Sequence, residues 1–268
     1  MNNYYKIVDN KVIFLNGMMF DFMKPVAYGS TSDIYKARIG NDMCAIKKYN
    51  GLVEVNQENI ERKLEINIDS YITPVRLIYV SGRFDGYTME FCKDKDLEKR
   101  RLNISVDEFS SSADKLVSDT HKLSSLSYNI YDTFISNVMY DNGFKMIDTD
   151  DYPYVPNLSY DEIDHINSMR LNHMLADIFI KNANLGNLYF GNVDFKKFIK
   201  KCEDGQITFK EMFSTLCNIA NNESNGELTR ISEVGKVLSK VKKMWYKKPI
   251  MWYNTNGFLN YTSMDLYV

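Results

Sequence analysis

The sequence predicts an α+β protein in two parts. Residues 1–92 form an antiparallel sheet with one helix, and residues 93–268 are mainly helical. Three observations predict this. The first third carries short β-branched and aromatic runs, "KVIFLNG", "ARIGNDMCAIKKY", "VRLIYVSG" and "GYTMEFC", separated by Gly, Asn or Asp. Beyond about residue 93 the apolar residues change to helical spacing. Finally, 44% of the 268 residues are hydrophobic, enough for a sizeable core in one large domain or two lobes.

Taken in order, "VSGRFDGYTMEF" reads as a hairpin, and the polar stretch "EVNQENIERKLEINI" between strands reads as the helix of the first part. In "SVDEFSSSADKLVSDTHKLSSL", Phe109, Ala113, Leu116, Val117, His121 and Leu123 recur at helical spacing. "YDEIDHINSMRLNHMLADIFIKN", "VDFKKFIKKC", "FKEMFSTLCNIANN" and "RISEVGKVLSKVKKMW" read as further helices, with Ser159 and Thr208 as N-cap candidates. No repeat or low-complexity segment interrupts them. A small β lobe, a short linker and a larger α lobe would leave a cleft, the default place for a ligand.

The net charge of −2 gives no basic field for nucleic acid or an anionic membrane. The opening "MNNYYKIVDNKVIF" lacks a signal-peptide pattern, and no run reaches the ~18 apolar residues of a spanning helix. A soluble, cytoplasmic protein is expected. The four cysteines, at 44, 92, 202 and 217, make no CxxC pair, and only three histidines are present. Reduced thiols are expected rather than a disulfide framework or a zinc site, with Cys44 and Cys92 in the core.

Three places carry candidate chemistry. "VAYGSTSDIYKA" joins two strands through Gly29 and small polar residues, and backbone N–H groups on such a turn can cover phosphates; an ordinary hairpin turn has the same look. "CAIKKY" puts Lys47 inside an apolar strand, where it either snorkels or serves as a cation that a carboxylate must hold. The following helix offers Glu58, Glu61 and Glu65; Glu61 is preferred because Leu64 and Ile68 would bury the same face. Lastly, "YNIYDTFISNVMYDNGFKMIDTDDY" reads strand, loop, strand around the hairpin signal "DNG". It brings Asn137 and Asp148 to neighbouring strand ends, an amide and a carboxylate suited to Mg2+. Asp132, one loop away, is placed to accept a hydroxyl proton or orient a nucleophile.

From Val26 to Asp150 these motifs, in this order, resemble the protein kinase-like superfamily, of a divergent bacterial or phage Ser/Thr type. The resemblance implies a bilobal kinase-like fold, with an N-lobe of five antiparallel strands and one helix (1–92) and a helical C-lobe (93–268). It implies an ATP site made by Ala27, Gly29, Ser30 and Ser32 of the glycine-rich loop together with Ala45, Lys47 and Glu61. Met89 would be the gatekeeper, with Glu90 to Cys92 offering backbone to adenine. Lys47 would bind the α/β-phosphates, Asp132 would be the catalytic aspartate, and Asn137 and Asp148 would hold Mg2+ or Mn2+. Transfer of the γ-phosphate of ATP to a protein Ser or Thr is the implied activity. The rivals are a small-molecule kinase of the aminoglycoside or choline type and a nucleotide-binding pseudokinase that acts as a regulator.

The chain departs from the family in several places. Ala27 and Ser32 stand where the loop usually has glycines, and Ile130-Tyr131 replaces His-Arg before Asp132. Asp148-Thr149-Asp150 replaces Asp-Phe-Gly, and Asp150 and Asp151 are expected to face solvent. About ten residues separate Asp151 from the next helix, which leaves little room for a peptide platform. "KCEDGQITFKEMF" imitates the back half of a calcium loop, but Lys200 and Cys202 occupy its first ligand positions, so a helix–turn–helix is expected. The basic aromatic run "KVLSKVKKMWYKKPIMWY" reads as a helix with a solvated lysine face and Trp245 on the core.

Overall fold

The structure is a computed structural model and describes residues 5–8, 11–14, 24–39, 42–52, 54–93, 95–97 and 101–241. It is mixed α/β, with an antiparallel sheet in its N-terminal part and mostly helices in its C-terminal part. Two compact units make it up: residues 1–101 with 111–174, and residues 102–110 with 175–268.

In the first unit, β1 (Tyr5–Val8), β2 (Lys11–Phe14), β3 (Ala27–Tyr28), β4 (Ser32–Ile39), β5 (Asp42–Tyr49), β6 (Arg76–Val80) and β7 (Arg83–Glu90) form one sheet of order β1-β2-β6-β7-β5-β4-β3. The five strands β3 to β7 pair antiparallel throughout. The sheet is wider than expected: β1 and β2 form a hairpin that joins the edge with β2 parallel to β6. At four residues, Tyr-Lys-Ile-Val, β1 is too short to stand out as a run of its own, and pairing with β2 makes it a strand.

Strand β5 lies between β4 and β7, with Lys47 opposite Ile34 on one side and Tyr87 on the other. The pleat turns Ala45 and Lys47 to one face and the fully buried Ile46 to the other. Gly86 sits opposite Lys48, where a Cβ would stand 2.0 Å from the Lys47 carbonyl oxygen. Only a residue without a side chain lets β7 pass here.

Helix α1 (Gln57–Arg62) begins at Asn56, whose side chain accepts from the Asn59 N–H at 3.0 Å. It runs six residues, tightens into a 3-10 turn at Lys63–Glu65 and leaves in extended form at Ile66. Its buried residue is Ile60, which packs with Leu77 and Tyr87. A second sheet, order β10-β9-β8, contains β8 (Lys95–Asp96), β9 (Val138–Tyr140) and β10 (Phe144–Met146). The turn of the β9–β10 hairpin is Asp141-Asn142-Gly143, with Asn142 left-handed at φ 53°. Helices α2 (Val106–Ser125) and α3 (Tyr160–Asn182) follow the expected spans. Ser159 caps α3, trading hydrogen bonds with Glu162.

The second unit holds α4 (Gly186–Gly191), α5 (Val193–Glu203), α6 (Phe209–Ser224) and α7 (Ile231–Lys240). Phe109, Phe179 and Phe213 form its aromatic centre: Phe109 stacks on Phe213 at 5.4 Å, and Phe179 meets Phe213 edge-on at 5.3 Å. Thr208 and Glu211 make a capping box at the start of α6, so the calcium-loop imitation is a helix cap. None of the four cysteines forms a disulfide. Burial pushes the Cys202 and Cys217 thiols up to about 12, while Cys44 and Cys92 are half-buried rather than core. The basic aromatic run begins in the last turns of α7, at Lys236–Lys240, and from residue 242 on, Trp245 included, it lies outside the described residues. No helix among the described residues is long and apolar enough to cross a membrane.

Adding one methyl at Gly86 forces β5 and β7 apart. Gly86→Ala is expected to lower the urea midpoint by an amount equivalent to about 1–3 kcal/mol. A midpoint equal to wild type would show that the strands do not need this close approach.

Candidate functional site

The site is built within the first unit, around a cavity of about 480 Å³. One wall is the sheet face that carries Ile34, Lys47 and Tyr87 in register, with Ala45 beside Met89. Ala27, Gly29, Ser30 and Ser32 line it from the β3–β4 turn, and Glu90, Phe91 and Cys92 from the end of β7. The opposite wall is Ser136, Met139, Ile147 and Asp148. Thr31, Ile72, Ser136, Met139 and Ile147 are members that the sequence did not single out.

The β3–β4 turn is tight. The Gly29 N–H donates to the Ser32 carbonyl at 2.8 Å, and a Cβ on Gly29 would meet that same oxygen at 2.8 Å. Ala27 and Ser32 lie in the flanking strands, where no glycine is required.

Lys47 is 4% exposed and donates to three carboxylate oxygens. One belongs to Asp148; the other two are Asp150 Oδ1 at 2.8 Å and Oδ2 at 2.9 Å. Burial works against the ammonium, but the charges of Asp150 and Asp148 outweigh it and hold the Lys47 pKa above its ordinary value. Asp150 is itself 5% exposed; burial would raise its pKa, but Lys47 and the Tyr49 and Tyr87 hydroxyls hold it down. Tyr49 donates to Asp150 Oδ2 at 2.6 Å. Burial, then the Asp150 charge, pushes the Tyr49 phenol up.

Lys47 therefore pairs with the segment after β10, and the expected partner Glu61 is not among its contacts. Glu61 is exposed and accepts from Gln57 at 2.8 Å; Glu58 accepts from Arg62 at 2.5 Å, and Glu65 is exposed. The cause is the early end of α1. The 3-10 turn puts Ile60 and Lys63 on the buried face, and the line from Glu61 to Leu64 and Ile68 never forms one helical face. The same turn delivers Lys63, 1% exposed, whose Nζ donates to the Asp150 carbonyl at 2.5 Å. Asn59 Nδ2 donates to that carbonyl at 2.9 Å. Burial brings the Lys63 pKa down to about 8. Asp150 is thus a buried anchor rather than the solvated carboxylate expected; Asp151 is exposed, its pKa raised by partial burial and the Asp150 charge.

Asp148 is half-open, its side chain 39% exposed toward the cavity. Its neighbour Thr149 is buried and donates to the Ile72 carbonyl at 2.7 Å, a polar tether where the resembled family has a packed Phe. The β9–β10 hairpin brings Asn137 and Asp148 together: the Ile147 N–H donates to the Asn137 carbonyl at 2.9 Å. Asn137 Nδ2 donates to both the carbonyl and the carboxylate of Asp132 at 2.9 Å. Asp132 and Asp148 are both left-handed, at φ 53° and 60°. Such strain in a non-glycine residue persists only where its surroundings enforce it, and it gathers at functional sites.

Two α3 residues, unmarked by the sequence reading, hold the segment that leads into Asp132. Asn167, fully buried, accepts from the Ile130 N–H at 2.8 Å and donates to Ser124 Oγ at 3.0 Å and the Tyr128 carbonyl at 2.9 Å. Arg170 donates to the Ile130 carbonyl and to Asn129 Oδ1 at 2.7 Å, and lies over the Tyr131 ring at 5.8 Å. A polar residue on the apolar face of a long helix is the only sequence signal either could give.

The donors fit a divalent cation and a polyphosphate. The Asn137 amide nitrogen is spent on Asp132, which leaves its oxygen as an acceptor, and the Asp148 carboxylate faces the cavity. Comparison with known proteins finds no matching family model and no matching curated protein.

The Lys63 environment sets a pH slope. Between about 8 and the ordinary 10.5 the unfolded chain keeps a proton that folded Lys63 has released, so stability from this group rises with pH. Lys63→Met should remove that rise. Urea titrations at about pH 7.5 and about pH 9.5 are expected to show a greater gain for wild type than for the variant, and equal gains would refute the assignment.

Proposed function

We propose that the chain is a kinase-like, ATP- and Mg2+-dependent phosphotransferase that moves the γ-phosphate of ATP to a hydroxyl. The observation that carries this reading is a single cavity of about 480 Å³ with Lys47 and Asp148 in its walls, and with Asn137 and Asp132 hydrogen-bonded beside them. Its volume suits a nucleotide. In this reading the backbone of Glu90 to Cys92 takes the adenine under Met89, and the β3–β4 turn covers the phosphates. Lys47 neutralises α/β-phosphate oxygens, and Asn137 and Asp148 hold the metal. When bound, Mg2+ supplies charge neutralisation to the transferring phosphoryl group. Asp132 orients the acceptor hydroxyl and takes its proton, on a loop kept in place by Asn167 and Arg170. Little more is required, since phosphoryl transfer depends chiefly on positioning and electrostatics.

The acceptor is a Ser or Thr hydroxyl in the first reading. A small-molecule acceptor is the second, and one feature favours it. Only residues 152–159 lie between the 3-10 turn Thr149–Asp151 and α3, too few for a peptide-docking platform.

The test is transfer of radiolabelled γ-phosphate with Mg2+ or Mn2+, onto a generic protein substrate and onto pooled small hydroxyl compounds. Asp132→Asn is expected to lower the rate about 10²–10⁴-fold, and Asp148→Ala to abolish it. Transfer that survives both changes would overturn the reading. Nucleotide binding without any transfer would identify a pseudokinase instead.

A further inference from the structure

We infer that Asp150 is the positioning residue for Lys47: it holds the lysine throughout nucleotide binding and so leaves Asp148 free to turn to the metal. This rests on the phosphotransferase reading and gives it a constraint. Lys47 now contacts two aspartates of unequal standing. Asp148 presents a side chain 39% exposed and lines the nucleotide cavity, whereas that of Asp150 is 4% exposed and does not. A cation entering the cavity meets Asp148 first. When Asp148 leaves, the buried ammonium needs a carboxylate that stays, because an unpaired charge in such a place is costly.

Asp150 is built to stay. Both its carboxylate oxygens accept from Lys47, and Oδ2 also accepts from Tyr49 at 2.6 Å. Its carbonyl is clamped by Lys63 at 2.5 Å and Asn59 at 2.9 Å, both from the α1 segment. The helix thus acts on the lysine through the Asp150 backbone and not through a glutamate. On the far side of the ion pair lies a second cavity of about 580 Å³, lined by Lys47, Tyr49, Glu58, Asn59 and Asp150. A helix carboxylate would have to cross that space to reach Lys47. The lysine's anchor and the metal ligand therefore share one short segment, two residues apart, and no helix movement is needed to assemble the pair.

The deciding experiment follows a fluorescent ATP analogue by its emission while Mg2+ is titrated, with wild type, Asp150→Asn and Glu61→Gln. In Asp150→Asn, Lys47 competes with Mg2+ for Asp148. The Mg2+ concentration at half-effect is then expected to rise about 10- to 100-fold, the competition expected of one charge-assisted hydrogen bond. Glu61→Gln should stay at the wild-type value. A merely structural role would reduce the amount of competent protein and leave that concentration unchanged. Should Asp150→Asn not fold, Asn59→Leu, which loosens the carbonyl clamp, is expected to shift it in the same direction by a smaller factor. Wild-type binding with no shift in the Asp150 or Asn59 variant, or a shift in Glu61→Gln instead, overturns the inference alone. No nucleotide binding by wild type overturns the phosphotransferase reading with it.

Discussion

A lysine ammonium inside the first unit is the constraint from which the rest of that unit follows. Isolated from water, it costs several kcal/mol unless carboxylates and hydrogen bonds compensate it. Compensation comes from Asp150, and Asp150 must be kept in place by groups of its own: Tyr49 on its carboxylate, Lys63 and Asn59 on its carbonyl. Those donors come from β5 and the α1 segment, which ties the sheet, the short helix and the segment after β10 to one point. The antiparallel register that sets Lys47 opposite Tyr87, and the glycine at 86 that lets the strands meet there, serve the same pair.

The second set of constraints is in the backbone. Asp132 and Asp148 both adopt a left-handed conformation that costs a non-glycine residue about 1–3 kcal/mol. The β9–β10 hairpin enforces one, and the Asn137 hydrogen bonds enforce the other, after a segment that Asn167 and Arg170 hold. Aspartate tolerates this region better than most residues, because its short polar side chain bonds locally. Position, strain and charge coincide at residues 132 and 148, and a reaction that depends on prearranged charge needs that coincidence.

The second unit obeys simpler rules. A cluster of stacked and edge-on phenylalanines forms its centre, and a capping box starts its longest full helix. Its two buried thiols, pushed up by burial, behave as small apolar side chains rather than nucleophiles.

The amino-acid order alone determined what depends on neighbours in the chain. The short β-branched and aromatic runs of the first third, the helical spacing later, the Asp-Asn-Gly turn and the Ser159 and Thr208 caps were all legible, because each is set within a few residues. So were the cavity residues at marked positions: the lone glycine of a short turn, the lysine in an apolar strand, and the carboxylate after a hairpin. Strand β1, the parallel docking of β2 on β6, the partner of Lys47 and the hold of Asn167 and Arg170 on the Asp132 loop were decided only in three dimensions. Asp150 lies 103 positions from Lys47, and nothing local separates it from Asp151, one residue on and exposed. Which of two adjacent carboxylates is buried depends on where a helix stops and which lysine the chain's fold brings near, and those are properties of packing rather than of spacing.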